Sequence, residues 1–322
     1  MSMHPLSRRA ALLAGTGALA GTVAGAARAQ TPRPGRSLAE ATRAANAGTI
    51  GVISGGVDGT YVRIAADLAA VLDDGEAMRV LPVIGKGSLQ NLSDLLYVRG
   101  IDVAIVQSDV LAAATRDRLL PNLGQLVQYL AKLYDEEVHV LARREVTRVE
   151  DLAGRPVNVD LRGSGTAMTA SVLFGMLGVA VQAVHAPQDL ALERLKRGEI
   201  AALVYVTGKP ARLFSGLRAE DGLHLLPLPP RPPLLQTYLP APIEPADYPG
   251  LVAEGTSVQT VAVGAVLAVY AWTPGSERHA KLVRFAERFR QKFPELLQPP
   301  RHPKWREVNL TAQVPGWVRF DP

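Results

Sequence analysis

The strongest constraint on the fold is a repeated alternation of a short apolar strand, a polar loop that contains glycine, and an amphipathic helix. The first unit has a strand at 49–54 and a helix over 61–72, whose apolar residues recur at helical spacing. The next two strands are expected at 79–84 and 101–106, and each is followed by the same kind of loop and helix. Strands that alternate with helices in this way predict an α/β fold with a parallel sheet.

A second set of such units follows the first. Strands are expected at 156–160 and 200–206, whereas the proline-dense stretch 226–250 cannot form a regular helix or a central strand. A long strand at 258–272 would return the backbone to the first set, where a strand near 137–142 had left it. The sequence therefore predicts two lobes joined by two hinge crossovers, with residues 48–146 plus 256–322 in lobe I and residues 147–255 in lobe II.

The first thirty residues predict export. Arg8 and Arg9 precede an uncharged run rich in alanine, glycine and leucine, which ends in an A-x-A cleavage motif at 27–29. The paired arginines leave the twin-arginine route open beside the general route. An uncleaved anchor is the alternative, but the run is short and rich in small residues for a membrane span. These features predict a periplasmic protein with a signal peptide over 1–29, cleavage near Ala29-Gln30 and a linker over 30–47.

The residue inventory argues against several classes of protein. The chain has no cysteine, which excludes a disulfide framework and a thiolate zinc site. Its six histidines form no H-E-x-x-H or similar pair, and neither a Walker motif nor a G-x-S-x-G elbow is present. The net charge is only +5, and it becomes smaller once the arginine-bearing signal is removed. Nucleic acid is therefore not expected as a partner, because its binding needs a concentrated basic surface. We therefore expect no metal, no cofactor and no enzymatic activity.

Four loops share one design, because each lies after a strand and just before a helix. In open α/β sheets such loops line the ligand crevice, and the unpaired N–H groups at helix starts favour an anion. Glycine allows a close approach of the backbone, and serine and threonine add donors, although each loop alone also fits ordinary helix capping. Together the loops predict a site for a small carboxylate. The candidate residues are Ser54, Gly55, Gly56, Gly59, Thr60 and Tyr61; Gly87 and Ser88; Gln107, Ser108 and Asp109; and Gly163, Ser164, Gly165 and Thr166.

The same loops resemble a known family. The runs GGVDGTY, GSLQN, QSDV and GSGT, in this order, are similar to the TAXI family of solute-binding proteins, which are extracytoplasmic receptors of a branch of TRAP transporters. The resemblance implies a type II periplasmic binding protein fold and binding roles also for Asn91, Thr207 and Gly208. It further implies a small-molecule ligand, either an amino acid such as glutamate or an organic acid, and a membrane permease of a TRAP transporter as partner. A receptor of an ABC-type importer or of a membrane sensor is the alternative.

Basic residues near these loops bear on the ligand. Lys86 and Lys209 stand where the family usually has small residues. If they face the cleft they indicate a more acidic ligand, whereas solvated side chains would carry no such meaning. Arg162 is the better candidate for a carboxylate clamp, because a guanidinium fork matches the two oxygens of a carboxylate.

Overall fold

The computed structural model describes residues 37–322, in which strands and helices alternate along most of the chain. Among these residues, 37–44 and 45–322 belong to two separate units, and the sheet lies wholly in the second. The strands are β1 (Thr49–Ile53), β2 (Arg79–Val83), β3 (Val103–Gln107), β4 (Val127–Arg143), β5 (Pro156–Asn158), β6 (Gln182–Val184), β7 (Ala202–Thr207), β8 (Leu223–Leu225), β9 (Leu239–Ile243) and β10 (Val258–Tyr270). The helices are α1 (Leu38–Asn46), α2 (Thr60–Leu72), α3 (Ser88–Tyr97), α4 (Ser108–Arg116), α5 (Leu123–Leu126), α6 (Gly165–Leu177), α7 (Gln188–Lys196) and α8 (Glu277–Leu296). Short 3₁₀ helices span Val149–Leu152, Arg212–Phe214, Ala219–Asp221, Leu234–Gln236 and Pro303–Glu307.

The two longest strands, β4 and β10, join two groups of parallel strands. The sheet order is β2-β1-β3-β10-β4-β7-β5-β6, with β8 paired to β4 and β9 paired to β10. Strands β1, β2 and β3 are mutually parallel, as are β5, β6 and β7. The first group runs antiparallel to its neighbour β10, the second runs antiparallel to its neighbour β4, and β4 and β10 are antiparallel to each other. The helices that connect the parallel strands follow the predicted alternation. The α/β class predicted from the sequence is confirmed.

Each long strand contributes to several apolar cores along its length. On β4, Leu130 and Leu133 pack with α2 and α8, whereas Val138 and Val140 pack with α6 and β7. On β10 the change of partner falls beside Gly264, where the register with β4 shifts by a bulge. We propose that the two lobes meet at these points; the lobe boundaries given by the sequence pattern stay a prediction.

Strand β4 begins earlier than expected. The sequence suggested a strand from Glu137, but the strand starts at Val127. The acidic residues Asp135, Glu136 and Glu137 interrupt its apolar run and so imitate the end of a loop. In the structure Glu136 and Glu137 are both buried, on opposite faces of the strand.

The proline-dense stretch behaves as its composition requires. It contains one short 3₁₀ helix and strand β9, which pairs with β10 and carries Pro240 and Pro242. Proline has no N–H to donate to a neighbouring strand. It is therefore tolerated in a strand with a single neighbour, at positions whose N–H side faces away from that neighbour.

The end of the chain returns to the middle of the sheet. Trp305 is fully buried, and its indole Nε1 donates to Asp67 Oδ2 at 2.9 Å. Beside it, Lys304 Nζ lies 2.8 Å from Glu137 Oε1 on β4 and 2.9 Å from Glu307 Oε2. The C-terminal segment thus fastens α2 and β4 together.

The predicted signal peptide and residues 30–36 of the predicted linker lie outside the described residues, and the rest of the linker consists mainly of helix α1. Within residues 37–322, no helix combines the length and the apolar character needed to cross a bilayer.

Candidate functional site

A cavity of about 320 Å³ lies at the carboxyl ends of the parallel strands, between the two strand groups. Its position follows from the fold, because loops that leave parallel strands converge at one edge of the sheet. Most of the residues predicted from the sequence line this cavity: Gly55, Gly56, Gly59, Thr60, Tyr61, Gly87, Ser88, Gln107, Ser164, Gly165, Thr166 and Thr207.

Four helices begin at the cavity wall. The first residues of α2, α3, α6 and α7 are Thr60, Ser88, Gly165 and Gln188, respectively. The first N–H groups of a helix have no partner within the helix and carry partial positive charge. The wall therefore offers backbone donors to an anionic group from both strand groups.

Four buried residues form the floor of the cavity: Tyr61, Ser88, Gln107 and Glu136. The Tyr61 hydroxyl donates to Glu136 Oε2 at 2.6 Å and lies 3.4 Å from Ser88 Oγ. Ser88 Oγ donates to Gln107 Oε1 at 3.0 Å and accepts from the Gln107 backbone N–H at 2.9 Å. The amide oxygen of Gln107 is thus engaged with Ser88.

The two strand groups approach each other closely at Gly165. A Cβ atom at this position would lie 1.8 Å from Gln107 Oε1 and 2.7 Å from Ser88 Oγ. The backbone N–H of Gly165 also lies close to Gly87. Only glycine lets the start of α6 rest against the floor in this way.

Hydroxyl pairs tie the cavity wall together. Thr60 Oγ1 lies 3.1 Å from Thr207 Oγ1, which joins the start of α2 to the end of β7. Thr166 Oγ1 accepts the backbone N–H of Val206 at 3.1 Å. These bonds satisfy buried hydroxyls and fix the helix starts relative to β7.

Carboxyl groups outnumber basic groups around the cavity. Asp58 and Asp189 stand exposed at its mouth, together with Lys86. Burial raises the pKa of Glu136 to about 8 and that of Asp160 to about 6, in both cases against hydrogen bonds that lower it. Asp160 also holds a left-handed backbone with φ of 69°, which is uncommon for a residue other than glycine.

Two predicted residues brace the loops instead of lining the cavity. Ser54 Oγ donates to the Val83 carbonyl at 2.8 Å. Asn91 Nδ2 donates to the carbonyls of Ser54 and Ile105 at 2.7 and 2.8 Å, and Asn91 Oδ1 accepts the N–H of Gly87 at 3.3 Å. One buried amide thereby holds three strand-end segments in place.

Three further predicted residues lie behind the wall. Asp109 is buried, and its Oδ2 accepts from Thr169 Oγ1 at 2.7 Å and from the Tyr238 hydroxyl at 3.1 Å. Burial raises the pKa of Asp109 to about 6. Ser108 follows Gln107 outside the cavity lining, and Gly208 packs against Thr60.

Arg162 and Gly163 line a different cavity. This second cavity, of about 470 Å³, lies against α6 and shares Ser164 with the first. Lys209 is also turned away, because its Nζ pairs with Asp247 Oδ2 at 2.9 Å. Of the basic residues singled out from the sequence, Lys86 is the one that lines the first cavity.

Several lining residues were missed by the sequence reasoning. Glu136 is the most consequential of these. Its sequence signal is the run of three consecutive acidic residues inside an otherwise apolar segment. Burial of such groups is costly, so their presence there suggests pairing or a functional role. Asp160 comes just after β5 and Tyr205 lies within β7, and no local pattern marked either residue. The remaining missed lining residues are Val57, Asp58, Leu161, Pro187, Gln188, Asp189 and Val206.

The acidic residues do not assemble a metal site. Among residues 37–322, no group of three or more histidine or acidic side chains is placed to hold a metal ion.

Solved structures share this architecture at low sequence identity. A periplasmic transporter is 15% identical, with a TM-score of 0.51 over 78% of this chain and 84% of its own. The periplasmic binding protein BugD is 14% identical, with a TM-score of 0.50 over 83% of this chain and 88% of its own. At such identities the similarity shows the fold alone, which is that of the two-lobed periplasmic binding proteins.

A family model places the chain more directly. The model of the NMT1-like family matches residues 52–280, a stretch that contains every loop around the cavity and both long strands. The match covers most of the chain, so the protein is a member of the NMT1-like family.

Proposed function

We propose that the chain is an extracytoplasmic receptor that binds a small carboxylate-bearing solute between its two lobes and delivers it to a TRAP-type permease. The single observation that carries the binding role is the cavity itself, at whose wall four helices from both strand groups begin. Backbone donors at helix starts bind carboxylates without an obligatory arginine. The TAXI-like order of the loop motifs supports the assignment to TRAP transport.

Binding of the solute would hold the two lobes together. The floor belongs to the lobe of β1–β3, and the start of α6 belongs to the other, so a carboxylate that accepts from both stabilises their contact. A ligand shifts such an equilibrium only by its differential affinity for the closed state. The closed surface is then the form that a permease distinguishes from the empty receptor.

A screen of the purified chain, from Gln30 onward, against amino acids and short organic acids tests the binding role. A solute present at about 100 times its Kd adds about 2.7 kcal/mol to the free energy of unfolding, which is a shift of several degrees in Tm. Selective shifts among carboxylates are expected. A folded protein that responds to none of them would contradict the proposal. The delivery step is tested by measuring solute uptake through the reconstituted permease, once with this receptor and once with a protein of the same fold that serves another transporter.

Ser164→Ala and Gln107→Ala are each expected to weaken binding by about tenfold, the value of one hydrogen bond to a charged group. Ser164 also caps α6, since its Oγ accepts the N–H of Ala167 at 3.1 Å. Ser276→Ala is the matched control, because Ser276 caps α8 in the same way away from the cavity. Both serine variants should lose about 1 kcal/mol of stability. Calorimetric titration should find weaker binding in Ser164→Ala and Gln107→Ala alone; unchanged affinity in both would remove these loops from the site.

A further inference from the structure

Glu136 is a buried carboxyl group with one oxygen open to the cavity. Its side chain is 2% exposed and lines the cavity floor. Oε2 accepts the hydroxyl of Tyr61 at 2.6 Å. Within residues 37–322, no side chain or backbone group donates a hydrogen bond to Oε1. Oε1 is not one of the enclosed polar atoms that lack a partner. It therefore faces the cavity, where a donor on a bound solute can reach it.

The floor holds this carboxyl group in one orientation. Tyr61 is fixed from one side by Glu136 and from the other by Ser88, which is itself bonded twice to Gln107. A carboxyl group fixed in this way by its neighbours is preorganised for recognition.

No nearby lysine or arginine among the described residues pairs with Glu136. Each one either bonds to another group or lies away from the cavity floor. Lys304 Nζ bonds to Glu137, on the opposite face of β4, at 2.8 Å. Arg162 lines the second cavity, and no arginine is found among the described residues that line the first. Lys86 stands exposed at the mouth, where Asp58 and Asp189 offset its charge. The floor is therefore an acidic site without an internal counter-charge.

We propose that Glu136 pairs with a positively charged nitrogen of the bound solute, and that it thereby selects carboxylates that also carry an amine over dicarboxylates and simple organic acids. The assignment rests on the proposed function, because it describes the same cavity. The solute carboxylate would accept from the helix starts, and its ammonium group would donate to Oε1 on the floor. Tyr61 is then a positioning residue for Glu136.

The pairing has a consequence for protons. Burial raises the pKa of Glu136 to about 8; the Tyr61 hydrogen bond and Lys304 lower it, whereas Glu137 and Asp109 raise it. The carboxyl group of the empty protein therefore holds a proton below that value, and a cation binds only the ionised form. Binding must release this proton, so affinity for an amine-bearing solute rises with pH up to about 8. A solute that accepts from the protonated carboxyl would show the opposite slope. The other charged and titratable groups around the cavity are Asp58, Lys86, Asp160, Asp189 and Tyr205.

The test compares each amine-bearing probe with its counterpart that lacks the amine. Glutamate is paired with glutarate, leucine with isocaproate and alanine with propionate, and isoamylamine serves as the amine without a carboxylate. Dissociation constants are measured by calorimetry for the purified wild-type chain and for Glu136→Gln, which keeps the shape and removes the charge. Glu145→Gln is the matched control, because Glu145 is an exposed carboxylate paired with Arg143 away from the cavity.

We expect at least one amino acid to bind and its deaminated counterpart to bind at least about tenfold more weakly, since a hydrogen bond between charged groups is lost. Glu136→Gln should lose about 10- to 30-fold for the amino acid, whereas Glu145→Gln should not. Wild-type affinity should rise more than about tenfold from about pH 6 to about pH 8, and this rise should be much smaller in Glu136→Gln, where Asp160 and Asp109 still titrate.

The outcomes separate the two proposals. Tight binding of glutarate, isocaproate or propionate that is indifferent to Glu136→Gln would overturn the role of Glu136 and leave the receptor function standing. Binding of isoamylamine as tight as that of leucine would support Glu136 and contradict the role of the solute carboxylate. Absence of binding to every probe by folded protein would contradict the proposed function, and the assignment of Glu136 would fall with it.

Discussion

Replacement of Lys304 by methionine is expected to lower the free energy of unfolding by about 3–5 kcal/mol, because it leaves a buried carboxylate without its counter-charge. The Lys304 side chain is 2% exposed, and its Nζ bonds to Glu137 Oε1 at 2.8 Å and to the Asp135 carbonyl at 2.9 Å. The backbone N–H of Lys209 donates to the other oxygen of Glu137. Methionine fills the space of the lysine stem, so the loss is mainly electrostatic. Urea unfolding should show a lower midpoint with an unchanged slope.

The pH dependence of this loss identifies its cause. Burial raises the pKa of Glu137 and the charge of Lys304 lowers it, so removal of the lysine raises that pKa further. When the pKa of a carboxyl group is raised in the folded state, the protein loses stability as the pH rises above the pKa of the unfolded state. The defect should therefore grow as the pH is raised from about 5. Lys196→Met is the control, because Lys196 pairs with Glu193 on the surface and should cost no more than about 1 kcal/mol. Equal losses in both variants would show that the buried pair contributes nothing special.

Gly165→Ala is expected to weaken solute binding by about 100-fold, since one extra methyl group in a tight contact costs up to about 3 kcal/mol. The added Cβ would lie 1.8 Å from Gln107 Oε1 in the cavity floor. Gln107 must then leave its bond with Ser88, or the two strand groups must separate. Either change disrupts the floor without altering α6 itself, for which alanine is a favourable residue.

Gly175→Ala supplies the comparison for this variant. Gly175 lies in the same helix, and a Cβ there meets nothing within 4 Å. It should therefore bind solute as the wild type does and gain up to about 1 kcal/mol in stability from helix propensity. Calorimetric titration of both variants measures the difference, and small-angle scattering with bound solute reports whether the lobes still close. Wild-type affinity in Gly165→Ala would show that the contact does not belong to the bound state.

The predicted site residues that line the cavity share a local signature. Gly55, Ser88 and Gly165 lie where a strand gives way to a helix, and that position alone brings them to one edge of a parallel sheet. The fold class followed from the same periodicity. Such inferences need only the order of elements along the chain.

What remained hidden depends on contacts between distant parts of the chain. Glu136 lies in the middle of β4, and nothing local reveals that its face of the strand meets Tyr61, 75 residues earlier. The sequence does not show that the side chain of Lys209 pairs with Asp247, which lies 38 residues away. Arg162 follows Asp160, whose left-handed backbone helps to set the direction of the loop, and a sequence pattern does not give that direction.

The position of β10 has a consequence for how the molecule assembles. This strand lies between β3 and β4, although it follows β4 in the sequence by more than a hundred residues. Until β10 has been synthesised, the inner edges of β3 and β4 have no partner, and exposed strand edges invite pairing with other chains. Contacts of such long sequence separation also slow folding. We therefore expect refolding to pass through an intermediate with two unjoined half-sheets, prone to aggregate at high concentration, and insertion of β10 to be its slow step.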